Sequence, residues 1–329
     1  WGGMALAWVT AWPLRYILAV AKLLSKLPGA VLFTGNRMVV WWLVLVYAMF
    51  GAAWLISRRR KVRYWIPAAC SVLALCAVLT VNAVQLQRTS TVTALDVSQG
   101  QSIVFSSGRA CAVVDCGGRS TAEDPGDLAA RKLFAQGHRS LDLLVLTHPH
   151  DDHVNGVLRL MHWLPVRTLV IPAAADTTQA PLSDILALAE ENHTAVVRVD
   201  AERTLTAGGI SVHLYSEPCA GQEDGSMIVL TSIGTYDTLV PGDVDTTAEV
   251  KFLSSCTYPS IELLLVGHHG SKRSTCDAWL DAIAPDAAII SVGYNNYGHP
   301  TAETLERLQA HNIPIYRTDQ MGDITVHLS

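Results

Sequence analysis

The chain has 329 residues and a net charge of −5, but that charge is unevenly spread. Residues 1–90 carry ten Lys or Arg and no Asp or Glu, whereas residues 91–329 carry 14 basic and 29 acidic side chains. A mean hydropathy of +0.27 beside so acidic a remainder excludes one uniform soluble domain. A membrane segment, 1–90, joined to a globular region, 91–329, accounts for both.

In chain order, "WPLRYILAVAKLLSKLPGA" comes first. Arg15, Lys22 and Lys26 stand seven and four residues apart, on one face of a 3.6-residue period. The stretch predicts an amphipathic helix opened by Pro13 and closed at Pro28-Gly29, lying along a membrane surface. Met38 to Ser57 gives 20 uncharged residues and Tyr64 to Gln87 gives 24 more. Either run can cross a hydrocarbon core as a helix. Between them "RRRKVR", residues 58–63, holds five cations. The positive-inside rule places that loop in the cytoplasm and residues 91–329 on the extracytoplasmic side of a multi-pass cell-membrane protein. Cations ahead of the spans, and no clean Ala-x-Ala site after them, argue against a secretory signal. A chain that starts at Trp1 in mid-pattern reads as part of a longer polytopic protein. The seven cysteines, two of them inside the second span, lack the spacing of a disulfide framework or a metal site.

From Thr91 short strands replace the long apolar runs. "TVTALDV", "SIVFSSG" and "ACAVVDCGG" read as strands, and a helix near 126–136 leads to the buried strand "LDLLVLT". The helix "VNGVLRLMHWL" follows, then "TLVI", a helix near 182–192, "AVVRV", "ISVHLY", "MIVLTSI" and "DTLVPGD". The tail alternates helix 246–254, strand "IELLLVG", helix 275–283, strand "AAIISVG", helix 301–311 and strand "IPIYR". This order predicts an α/β fold of two packed sheets with helices outside. There are no repeats and no low-complexity segments.

"LTHPHDDHVNG", residues 146–156, delivers His148 and His150 at the end of a strand. Asp152 and His153 follow after the chain turns. One loop thereby offers two pairs of imidazole and carboxylate donors, the arrangement of a two-metal site. Later strands end in further donors. Asp243 follows a glycine in "DTLVPGDVD", His268 and His269 sit in "LLLVGHHGSKRST", and His299 precedes a helix in "NNYGHPTAE".

These motifs carry a resemblance. The His-x-His-x-Asp-His loop is the signature of the metallo-β-lactamase fold, so the resemblance implies an αββα sandwich preceded by the amphipathic and two transmembrane helices. Within that superfamily "LDVSQGQSIVF", "VVDCGG", "LVPGDVD", "LLVGHHGSKRS" and "SVGYNNYGHPTAETLERL" resemble ComEC-type DNA-internalisation competence proteins. The resemblance implies that His148 and His150 hold a first metal, Asp152 and His153 a second, and that Asp243 bridges them. His268 best matches the late histidine ligand, with His269 as its substitute. Asp96 and Asp115 match acidic residues that brace the site from behind.

Two divalent ions, Zn²⁺ or Mn²⁺, suit these donors and lower the pKa of water to near 7. Asp152 would orient the nucleophile, and His299 or His269 would protonate the leaving oxygen. Ser271, Lys272 and Arg273 could hold a phosphate, and Tyr297 in "YNNY" could stack a base. The expected activity is cleavage of single-stranded DNA beside other components of an uptake machinery. The alternatives are an inactive scaffold of the channel and hydrolysis of another anionic ester. Two departures from the family stand out: Ser98 and Gln101 where it commonly shows Gly and Asp, and no third-histidine ligand between residues 154 and 225.

Overall fold

The structure is a computed structural model that describes residues 2–24, 37–86, 88–119, 123–216 and 226–328. It divides into two compact units, residues 1–35 and 36–329. The first contains α1 (Gly2–Leu24), with Pro13 inside it rather than at its start. The helix therefore runs through Pro13, which removes one backbone donor and crowds the carbonyl of the turn before it. The expected closing Pro28-Gly29 lies outside the described residues.

In the second unit α2 (Arg37–Ser57) and α3 (Trp65–Leu86) form a hairpin. Trp42 donates its indole N–H to the carbonyl of Ser71 at 2.9 Å. Both helices are long and apolar enough to cross a membrane, and 6% of each apolar window is buried inside the chain. A helix that is apolar all round and uncovered by protein has the surface that lipid requires.

The strands and helices that follow are β1 (Ser90–Ala94), β2 (Ile103–Ser107), β3 (Ala110–Val114), α4 (Pro125–Ala135), β4 (Leu141–Val145), α5 (Asp151–Val154), α6 (Val157–Trp163) and β5 (Val166–Pro172). Next come α7 (Leu182–Glu191), β6 (Ala195–Val199), β7 (Arg203–Ala207), β8 (Ile210–Tyr215), β9 (Ile228–Ile233), β10 (Tyr236–Val240), α8 (Thr246–Ser255) and β11 (Leu263–Leu265). The chain closes with α9 (Asp277–Ile283), β12 (Ala287–Ile290), α10 (Ala302–Ala310), β13 (Ile315–Arg317), α11 (Thr318–Met321) and β14 (Ile324–Leu328).

Two seven-stranded sheets result, ordered β14-β1-β2-β3-β4-β5-β6 and β13-β12-β11-β10-β9-β8-β7. Each begins as an antiparallel meander and then turns parallel, at β3–β4 in one and β10–β11 in the other. The switch follows from the connections. Two-residue turns join β2 to β3, β7 to β8 and β9 to β10, and helices carry the chain back between the parallel strands.

β11 shows how the layers are held. Leu263 and Leu265 enter the cluster between the sheets, with Phe105, Val145 and Val229. Leu264 and Val266 point the other way, onto Phe252, Trp279 and Leu308 of the covering helices. Successive side chains alternate faces, so a strand covered on both sides must be apolar throughout, as "LLLV" is. The C-terminal ends of β3, β4, β10, β11 and β12 meet at one edge, where ligand sites of parallel sheets form.

A candidate metal centre at the strand ends

Asp115 leaves the end of β3 fully buried. Its Oδ1 accepts from the Thr147 N–H at 2.7 Å, and its Oδ2 accepts from the Thr147 hydroxyl at 2.7 Å and the Gln101 amide at 2.8 Å. The same Oδ2 lies 2.7 Å from His153 Nδ1. Three neutral donors leave the carboxylate free to hold the proton of His153 on Nδ1, which turns Nε2 forward as a lone pair. Gln101 therefore has a task that the family's usual acid at this position would perform differently, since an ionised carboxylate cannot donate to Asp115.

Gly117 lets the loop close. A Cβ there would stand 2.4 Å from the backbone of His153, while Cys116 donates to the His153 carbonyl at 2.8 Å. Gly242 (φ +62°) turns the chain after β10 in the left-handed region that glycine enters freely. That turn delivers Asp243.

Two donor groups form, His148 with His150 and Asp243, and Asp152 with His153 and His269, each within 4.8 Å. Asp243 faces both. Its Oδ2 is 3.6 Å from His148 Nε2, and its Oδ1 is 3.2 Å from His153 Nε2 and 3.9 Å from His269 Nε2. His269 Nδ1 lies 2.9 Å from the Ser291 carbonyl, so it carries the proton and leaves Nε2 facing Asp152 Oδ2 at 3.6 Å. His268 and His269 both adopt left-handed backbone, at φ +50° and +55°. Two strained residues in succession persist only where packing over-determines them.

Burial, then the neighbouring His153, pushes His148 well below its ordinary pKa. Burial opposes charge on His153 most strongly, yet Asp243 and Asp115 together raise it well above the usual histidine range. Burial likewise works against ionised Asp152 and Asp243, but the surrounding histidines hold both carboxyls below theirs.

The donor set fits divalent cations. His148 Nε2 and His269 Nε2 are buried without a hydrogen-bond partner, and His153 Nε2 and Asp243 Oδ1 face only each other, although such atoms in folded proteins are nearly always satisfied. Three imidazole nitrogens crowded around one carboxylate are what one or two ions would satisfy.

Not every expected residue lies here. His268 joins neither group; it is 40% exposed at the mouth of the site, 3.6 Å from Asp243 Oδ2, and His269 occupies the inner position. Asp96 is exposed and accepts from the Ser98 N–H instead of bracing the centre. Ser98 itself adopts φ +62°, which explains the glycine common there. Ser271 is buried and its hydroxyl accepts from the Arg273 N–H at 3.3 Å, while Lys272 projects to solvent. Neither lines the cavity. No residue of the described stretch 154–216 joins the first group, and 217–225 lie outside the described residues.

The cavity over the donors measures about 470 Å³, and His299, Tyr297, Gln99 and Arg119 also line it. Burial, with His268 and His269 nearby, lowers the pKa of His299. Sequence reasoning passed over Gln99 and Arg119, because neither belongs to a donor motif and only the fold brings them to this edge.

Residues 95–294 match the family model of the metallo-beta-lactamase superfamily. The chain is 30% identical over 250 residues to ComE operon protein 3 of Bacillus subtilis, covering 70% of this chain and 32% of that protein. It is 30% identical over 238 residues to competence protein ComA of Neisseria gonorrhoeae, covering 70% and 31%. It thus spans about a third of the length of either relative. The crystal structure of the metallo-beta-lactamase fold protein YhfI from Bacillus subtilis superposes with a TM-score of 0.50 at 13% identity, covering 73% of this chain and all of that one.

Proposed function

Because this chain belongs to the metallo-β-lactamase superfamily, we propose that it is a membrane-anchored, metal-dependent phosphodiesterase that cuts single-stranded DNA during uptake. The observation that carries the reading is Asp243, whose two oxygens face the two donor groups separately. Similarity to a competence protein supports DNA as the substrate class. The apolar helices support the anchor, and the five cations between them support an extracytoplasmic site.

When bound, two cations polarise a phosphoryl oxygen and make water nucleophilic at neutral pH. His148, His150 and Asp243 would hold one, and Asp152, His153 and His269 the other, as Zn²⁺ or Mn²⁺. Asp115 fixes the proton on His153 Nδ1, and Ser291 fixes that on His269 Nδ1. Asp152 presents a carboxylate beside the reacting atoms. His299, which lines the same cavity, would protonate the leaving oxygen.

Purified full-length protein in detergent, loaded with Mn²⁺ or Zn²⁺, should cut single-stranded DNA and stop on chelation. His148→Ala with His150→Ala should remove one equivalent of metal, and Asp243→Ala should weaken both sites. Metal-loaded protein that leaves DNA intact would move the assignment to a scaffold of the uptake channel. Protein that takes up no transition metal at all would sink the central claim.

A further inference from the structure

A second cavity of about 390 Å³ adjoins the first, walled by Gln99, Arg119, Tyr294, Asn295, Asn296 and Tyr297. Gln99, Arg119 and Tyr297 belong to both walls, so the two cavities are one continuous groove. Along that groove Arg119 is the sole Lys or Arg among the described lining residues. None of the ion pairs in the described residues engages it. The domain around it is strongly acidic, so an anionic chain entering the groove has this one fixed cation to meet.

The wall is built in advance. Asn295 donates its amide to the carbonyls of Gly293 and His299 at 2.9 and 2.8 Å, and its Oδ1 accepts from the Tyr297 and His299 N–H groups at 3.0 Å. Gly293 is pressed onto Ser98, where a Cβ would stand 2.4 Å from its backbone. With Asn295 turned inward as the pin, Tyr294 and Tyr297 stay outside, 90% and 58% exposed. Arg119 donates to the Tyr297 hydroxyl at 3.0 Å, and its guanidinium stands 5.9 Å from that ring. Gln99 lies buried beneath the shared wall, its amide oxygen closed off from the groove.

A guanidinium engaged by no ion pair of the described residues and an exposed aromatic face match two parts of a nucleotide, its phosphate and its base face. We infer that the second cavity seats the nucleotide next to the scissile phosphate of a single-stranded polynucleotide, with Arg119 on its phosphate and Tyr294 stacked on its base. This rests on the phosphodiesterase assignment for the first cavity and adds a residue, Arg119, that orients the strand. Stacking tolerates any base, so the subsite selects unpaired strand over duplex without selecting sequence.

The test is fluorescence anisotropy with full-length protein in detergent and Mn²⁺, using a short phosphorothioate oligothymidylate that resists cleavage. Tyr294→Ala should weaken binding about tenfold, and Tyr294→Phe, which keeps the ring, should bind like wild type. Arg119→Gln should weaken it comparably and flatten the slope of log affinity against log salt by about 0.7, one phosphate contact on a single strand. Lys251→Gln, an exposed cation on α8, serves as the comparison and should change nothing. Equal affinities for wild type, Arg119→Gln and Tyr294→Ala overturn the inference, as does absence of binding by wild type. Binding with the expected losses, but an ordinary oligonucleotide left intact in Mn²⁺, would instead overturn the phosphodiesterase reading and leave the subsite standing.

Discussion

His153 Nδ1 lies 2.7 Å from Asp115 Oδ2, and neither side chain reaches solvent. The pair decides which face of the imidazole points forward. Asp115→Asn is nearly isosteric, but its amide nitrogen would meet donors from Gln101 or Thr147 and could no longer accept a proton from His153. The histidine would then favour the other tautomer, with a hydrogen on Nε2 where the lone pair is needed. We expect the fold to persist and metal affinity to fall about 10–100-fold. Calorimetric titration with Zn²⁺ decides it: unchanged affinity in Asp115→Asn would remove Asp115 from this role.

Gly117→Ala tests the close approach behind the same histidine. The added methyl would meet His153 backbone, which has no flexible end to swing aside. The cost should be about 1–3 kcal/mol of stability, and metal binding by the second donor group should be lost although residue 117 touches no metal. A thermal midpoint and metal content equal to wild type would mean that the loop has more room than this geometry allows.

Much of this was legible beforehand, for physical reasons. Donors spaced His-x-His-x-Asp-His, and apolar strands ending in Asp243 and His269, are local patterns, and parallel strands bring their ends together. The misses are non-local. β14 was not foreseen because five residues near the chain end say nothing of pairing with β1, over two hundred positions earlier. β7 escaped because "RTLTA" is largely exposed and lacks an apolar face. The choice between His268 and His269 hung on one residue of register and on a left-handed turn that sequence does not announce. Asp96 matched a family motif, yet its side chain turns to its own loop. Arg119 had no motif to mark it.

Topology offers an independent check. If the cations at 58–63 hold the α2–α3 loop inside, a cysteine placed at exposed Arg59 should resist a membrane-impermeant maleimide in intact cells. One placed at exposed Glu190 of α7, in a background without native cysteines, should label. The reverse pattern would invert the protein and put the hydrolytic site in the cytoplasm.

Glu249 is a buried carboxyl away from the donor groups. Its oxygens accept from the Thr275 and Cys276 N–H groups, which anchors α8 to the turn before α9. Burial is the dominant influence and raises its pKa from 4.5 to about 7, although those two backbone donors pull the other way. A group bound more tightly to its proton in the folded state adds stability that is complete below 4.5 and is lost as pH rises through about 7. The shift corresponds to an order of 3 kcal/mol. Other carboxyls, such as Asp127, are held low and slope the opposite way, so the wild-type profile alone would mislead. The difference between wild type and Glu249→Gln isolates the group, because glutamine keeps the shape and cannot ionise. Glutamine offers one acceptor where the carboxylate offers two, which costs the variant a constant amount at every pH. On top of that offset, the thermal midpoint of wild type should climb relative to Glu249→Gln as pH falls across this window, and the gap should stay level above it. Parallel curves would show that Glu249 is ionised throughout, with its two backbone donors outweighing burial.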